Sequence, residues 1–241
     1  MTSSASASAS ASATTQELRA TVATGCRVLA ANGHSDYIWG HLSARDPAGR
    51  GLFMKGSGLG LEEIEPDDVV LLDEAGDVIE GDRRRHSEWP LHAEVLKHRP
   101  DVGAVVHTHP PHAVALAAAG VELEPVSNMG TWFAPPGVPR FEDTAELIRD
   151  RELGAAVARA LGERDVLFLV NHGIVAVGAD VRAAVIRAVL LEAACRQQLL
   201  TRAFGGAPMG VPDEALAKGD VYAARTDVLW DYLVRRLKQR A

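Results

Sequence analysis

The sequence predicts a three-layer α/β/α fold, with a mainly antiparallel central sheet flanked by helices. Three observations predict it. An apolar repeat of helical spacing near the start is followed by short β-prone runs with turn signals between them. Further on, apolar runs of strand length alternate with helical stretches. No internal repeat and no interior linker divides the chain, so residues 16–241 are expected to form a single domain.

Residues 1–15 are rich in serine and alanine and offer no large apolar side chain to bury, so they are read as a flexible, disordered tail. From Gln16 to Ala31 apolar residues recur at helical spacing (Leu18, Val22, Cys26, Val28, Leu29), and Asn32-Gly33 supplies a left-handed stop. Tyr37–Ala44, Gly51–Lys55, Val69–Asp73 and Asp77–Glu80 are short β-prone runs, the last two joined by Glu74-Ala75-Gly76 as a hairpin loop. Ser87–Lys97 has helical character, which Pro90 tolerates only in the first turn, where its missing N–H costs nothing. Val102–His109 reads as a strand and Pro110–Ala119 as a helix. Val166–Val170 and Ile174–Val177 read as buried strands around the Asn171-His172-Gly173 turn. Val181–Ala203 is a long Ala/Leu-rich helix, and Pro212–Gln239 a last helix or helix pair.

Composition narrows the function. With 241 residues, 47% hydrophobic and 24% charged, the chain has an ordinary globular balance, and whole-chain disorder is excluded. The net charge is −7 and no Lys/Arg block is long enough to neutralise a run of phosphates, so no nucleic-acid partner is expected. Cys26 and Cys195 are too few for a disulfide framework, which fits a reducing cytoplasm. No stretch of eighteen apolar residues and no secretory h-region occurs, so neither a membrane span nor export is expected.

The chemistry concentrates in a few places. His107-Thr108-His109 ends an apolar run, and alternation along a strand would point both imidazoles to one face, with Cα atoms roughly 6.6 Å apart. Such a pair can meet one ion, although it also fits two surface histidines on a strand end. His172 lies where a buried strand runs into a turn. With the other two it makes the three-nitrogen set that catalytic zinc uses while keeping a position open. Glu88 is a further candidate at a helix N-terminus, where a carboxylate often serves only as a dipole partner. Glu88 and His92, four apart, form a rival metal pair, but His92 reads better as packing near the site; His34, His98 and His112 read as solvent-facing or structural. Lys55-Gly56-Ser57-Gly58-Leu59-Gly60 is a glycine-rich turn after a strand, able to aim N–H groups at an anion, and is neither a Walker loop nor a dinucleotide fingerprint. Arg83-Arg84-Arg85 is either a solvated run or added positive potential.

Together, Ser87-Glu88-Trp89 with His92, Val105-Val106-His107-Thr108-His109 and Asn171-His172-Gly173 resemble the class II aldolase and adducin head-domain family, over roughly residues 15–205. The resemblance implies one divalent ion per subunit, zinc or else manganese or cobalt, held by His107, His109 and His172, with Glu88 as acid/base. It implies a homotetramer with active sites at subunit contacts. Adducin-type members lack a complete metal triad, so this sequence resembles the enzymatic branch, an adducin-like interaction module being the non-enzymatic alternative. Where sugar-phosphate aldolases of the family bind phosphate with a Gly-Asn turn, a Thr-Gly turn and a Ser-Ser pair, this chain has Gly40-His41, Ser57-Gly58 and His86-Ser87. His41, Ser57, Gly58, His86 and Ser87 are therefore the expected substrate-binding positions, with imidazoles suited to a carboxylate or ring substituent. Phe141 stands near where some aldolases place a proton-donating tyrosine and has no proton to give. The expected activity is a metal-dependent carbon–carbon lyase that decarboxylates a small hydroxylated, plausibly aromatic, carboxylic acid. The alternative is an aldolase or epimerase of a ketose phosphate.

Overall fold

A computed structural model describes residues 3–134, 136–205 and 225–239. The first helix, α1, runs Ser3–Leu29 and so starts ahead of Gln16, the expected beginning. Alanine is the strongest helix former, and the Ser/Ala stretch contains enough of it to carry the helix backwards. α1 buries Val22, Ala23, Cys26 and Leu29, the face marked by the apolar spacing. It unwinds over Ala30–His34, where Gly33 takes φ +89° and the Asn32 amide donates to the Val28 carbonyl at 2.7 Å. Asn32-Gly33 thus acts as the left-handed stop.

Strands β1 (His41–Arg45), β2 (Leu52–Lys55), β3 (Val69–Leu72) and β4 (Val78–Glu80) follow as an antiparallel meander. β1 begins later than Tyr37 because a turn intervenes: the Trp39 N–H donates to the Asp36 carbonyl at 3.0 Å and Tyr37 takes φ +51°. Next come α2 (Trp89–His98), β5 (Ala104–Thr108), α3 (Pro111–Ala118), β6 (Arg140–Phe141) and α4 (Arg151–Leu161). The described chain continues with β7 (Val166–Leu169), β8 (Gly173–Gly178), α5 (Val181–Ala203) and α6 (Thr226–Lys238). Pro90 occupies the first turn of α2, the one place it is harmless. Two elements, β6 and α4, lie outside those predicted; α4 starts at Asp150, whose carboxylate accepts from the Leu153 N–H at 2.9 Å. Of the expected Pro212–Gln239 helix, α6 is seen and residues 212–224 lie outside the described residues.

The strands form one eight-stranded sheet in the order β4-β3-β2-β1-β5-β8-β7-β6, and only the β6–β7 pair is parallel. Alternation sorts the strand side chains into two cores. Leu42, Phe53, Val106 and Ala176 pack with α1, α3 and α5, whereas Met54, Val105, Leu167 and Val175 pack with α2 and α4. That is the three-layer architecture. No helix among the described residues is long and apolar enough to cross a membrane.

Register then decides what meets at the sheet's end. β1 pairs with β5 so that His41 faces His107, and both belong to the α2-side face set by Ser43 and Val105. β5 pairs with β8 through Thr108 and Ile174, which brings the β7–β8 turn beside the end of β5. That turn is tight: Leu169 pairs with Gly173, the His172 N–H donates to the Leu169 carbonyl at 3.0 Å, and Asn171 takes φ +59°. Phe168, fully buried on β7, anchors the sheet beside this turn. Phe168→Ala should lower unfolding free energy by about 3–5 kcal/mol, measured by urea denaturation.

Candidate metal centre

Five elements converge at this end of the sheet. β1 contributes His41, the end of β5 His107 and His109, the β7–β8 turn His172, the start of α2 Glu88, and the segment before it His86. Together with Asp36, Trp39, Ser87 and Arg149, these residues other than the fully buried His107 line an open pocket of about 530 Å³.

His107, His109 and His172 each present one nitrogen, all three within 4.8 Å of one another. The Nδ1 atoms of the first two are already committed: that of His107 donates to the Ile174 carbonyl at 3.0 Å, and that of His109 to Asp36 Oδ2 at 3.0 Å. His107 Nε2 therefore carries a lone pair, and His109 Nε2 lies 3.2 Å from it. Two ring nitrogens that close need a proton or a cation between them. Two nitrogens bound to zinc at about 2.0–2.1 Å in a tetrahedral shell would be roughly 3.3 Å apart. His172 adds a second sign, since both of its ring nitrogens are buried with no hydrogen-bond partner among the described residues. The donor set and its orphaned atoms fit a divalent metal ion.

Burial holds His107 and His172 neutral, which is the form a metal needs. His107 lies well below the usual histidine range because it is desolvated and faces His109, His172 and His92. Burial likewise brings His172 down to about 4, with His109 adding to it.

Glu88 sits at the N-cap position of α2. Its Oε1 accepts the Ile148 N–H at 2.8 Å and lies 3.6 Å from His172 Nε2. Its Oε2 lies 3.6 Å from His41 Nε2 and 3.7 Å from His107 Nε2. Burial raises its pKa from the ordinary glutamate value, against the Ile148 hydrogen bond and the Arg149 charge, which lower it. His41, Glu88 and His107 form a second cluster whose ligand atoms lie within 4.8 Å of one another.

Behind Glu88 runs a buried chain of polar groups. His41 Nδ1 meets His92 Nε2 at 2.6 Å, and His92 Nδ1 meets Ser43 Oγ at 2.6 Å. Both His92 nitrogens are used internally, so the rival Glu88–His92 metal pair has no free donor on His92. His34, expected to be solvent-facing or structural, is buried beneath β5 with Nδ1 on Thr108 Oγ1 at 2.8 Å. Phe141 is buried in β6, paired with Leu169, and plays no part at the pocket.

The expected substrate-binding positions divide. His41, His86 and Ser87 form pocket wall, while Ser57 and Gly58 do not. The Ser57 N–H is spent on the Arg84 carbonyl at 2.8 Å, so it is not aimed at the pocket. Two residues beyond the sequence reading belong here instead. Asp36 orients His109, and Arg149 lines the mouth; neither lies in a motif, and only the path of the backbone brings them in.

The class II aldolase and adducin N-terminal domain model matches residues 20–199. The chain belongs to this family. Among the class II aldolase relatives, it is 35% identical over 212 residues to a 3,4-dihydroxyphthalate decarboxylase of Arthrobacter keyseri, covering 83% of this chain and 85% of that protein. It is also 35% identical over 184 residues to a 5-methylthioribulose-1-phosphate/5-deoxyribulose-1-phosphate aldolase of Rhodospirillum rubrum, covering 75% and 79%. Among solved class II aldolase structures, a Pseudomonas syringae aldolase II superfamily protein superposes with TM-score 0.83 and 26% identity, covering 94% of both chains. These relatives place the chain with the lyases of the family.

Gly173 shows why the turn is built as it is. A Cβ there would come within 2.6 Å of the Thr108 carbonyl oxygen and 2.7 Å of His109 Cδ2. Gly173→Ala should therefore displace His109 and weaken zinc binding at least tenfold, read by competition with a chromogenic chelator. Asp36→Asn should leave the fold intact and cost about 10–100-fold in zinc affinity by the same assay, because His109 loses its charged orienting partner.

Proposed function

We propose that this enzyme is a metal-dependent decarboxylase of a small hydroxylated aromatic dicarboxylic acid, of the 3,4-dihydroxyphthalate kind. The observation that carries it is the convergence of three imidazoles and one buried carboxyl group on one open pocket. His107, His109 and His172 would hold a single divalent ion, with zinc, manganese and cobalt all compatible with imidazole donors. Such an ion supplies a fixed positive charge that stabilises the electron pair left as carbon dioxide departs.

The chain's own groups do the rest. Glu88, whose carboxyl faces the imidazoles, would deliver a proton to the ring carbon that lost the carboxylate, so the carbon–carbon pair ends as a C–H bond. Glu88 is thereby left as a carboxylate and regains its proton from water entering the open pocket it lines, while the buried Ser43–His92–His41 chain holds His41 in place behind it. His41, His86 and Ser87 bind the substrate's remaining substituents. Catalysis would take place in one domain from residue 16 onward. The exposed Tyr37, Ile38 and Trp39 beside the pocket support a subunit contact there, in a homotetramer that works in the cytoplasm.

Cleavage or epimerisation of a ketose phosphate is the second reading, and the Rhodospirillum relative favours it. It would ask Ser57 and Gly58 to help bind phosphate, and they stand outside the pocket wall.

Incubation of the zinc- or manganese-loaded protein with 3,4-dihydroxyphthalate should release carbon dioxide and 3,4-dihydroxybenzoate. Triose or aldehyde release from ketose phosphates, with no carbon dioxide from the aromatic acid, would reject the reading. Glu88→Gln should keep the metal and lose about 10²–10⁴-fold in turnover, because the amide cannot give up a proton. Full activity in that variant would remove Glu88 from the reaction.

A further inference from the structure

Lys55, at the end of β2, is fully buried, a rare state for an ammonium group. By alternation along β2 its stem shares the α1-side face with Phe53, while its Nζ donates to the Ile38 carbonyl at 3.0 Å and meets His86 Nε2 at 3.3 Å. Both partners are neutral. Among the described residues no carboxylate lies within ion-pair reach of Nζ. Glu62 and Glu63 act on it only at longer range, and their carboxylates are occupied by Ser35 and the Gly60 N–H. Removing one buried cation from water without a counter-anion is costly, so its retention calls for a reason outside the folded chain.

His86 connects it to the pocket. Burial, with the Lys55 charge adding to it, brings His86 down to about 3, so its ring is neutral. Its Nε2 accepts from Lys55, which places the ring's one proton on Nδ1 and makes that atom a donor. His86 lines the pocket next to His41, with ring centroids 4.5 Å apart. Lys55 itself is held near 8 by burial and so stays protonated at neutral pH.

We propose that Lys55 is a positioning residue for substrate selection: through His86 it presents a donor and a positive charge to the carboxylate that an aromatic dicarboxylate keeps after losing the other. The missing counter-anion is then the substrate itself. This rests on the decarboxylase reading and extends it to a residue that never touches the substrate.

The test compares two probes on the metal-loaded protein by calorimetry. 3,4-Dihydroxybenzoate and catechol share the hydroxyls and differ by one carboxylate, so the ratio of their dissociation constants isolates that group. In Lys55→Met the preference for dihydroxybenzoate should fall about tenfold or more, with catechol affinity unchanged. The same variant should melt no lower than the parent, because a desolvation cost has been removed. His86→Phe, which keeps Lys55, should lose the preference as well, and it decides the matter if Lys55→Met does not fold. An unchanged ratio in either folded variant, or equal weakening of both probes, overturns the proposal. Carbon dioxide release by the parent protein is scored separately. A collapsed ratio without decarboxylation removes only the reaction, and decarboxylation with an unchanged ratio removes only the role of Lys55.

Discussion

Two imidazole nitrogens, His107 Nε2 and His109 Nε2, stand 3.2 Å apart, and the structure keeps them there because their opposite nitrogens are already bound to Ile174 and Asp36. Such a site is held in its loaded geometry before anything enters it. The orienting cost is met by β-sheet hydrogen bonds and by one carboxylate, so a cation finds donors that need not rearrange. His172, with neither ring nitrogen partnered among the described residues, completes the same logic from the turn.

The sheet register carries that constraint to the rest of the pocket. Because His41 faces His107 across β1 and β5, the His41–His92–Ser43 chain must lie on the α2 side, directly behind Glu88. Glu88 in turn depends on α2 starting where Pro90 allows it to start. The Ile148 N–H fixes one carboxylate oxygen, and the other is left facing the imidazoles. Desolvation acts in opposite directions on the two kinds of group: it lowers the pKa of His107 and His172 and raises that of Glu88.

Much of this was legible in the chain. The Asn32-Gly33 stop, the β1–β4 meander, the helix tolerating Pro90 and the strand ending in His107-Thr108-His109 all rest on local rules of spacing and backbone preference. Those rules failed where they compete. The Ser/Ala stretch lacks apolar groups to bury yet is rich in a helix former, and α1 takes in Ser3 onward. β6 is too short for any periodicity to mark, and its pairing with β7 is what makes it a strand. The glycine-rich turn after β2 resembled an anion cradle, but its N–H at Ser57 closes on Arg84.

The sequence by itself determined the residue types that do chemistry and the order in which they occur: three histidines, one glutamate and the turns that present them. Local pattern reaches that far because alternation, helix stops and turn chemistry act over a few residues. Only the tertiary structure decided that Asp36 orients His109, that Arg149 stands at the pocket mouth and that Lys55 reaches His86 from below the sheet. Those contacts join segments distant along the chain, and strand register, which no short stretch of sequence specifies alone, sets which of them meet.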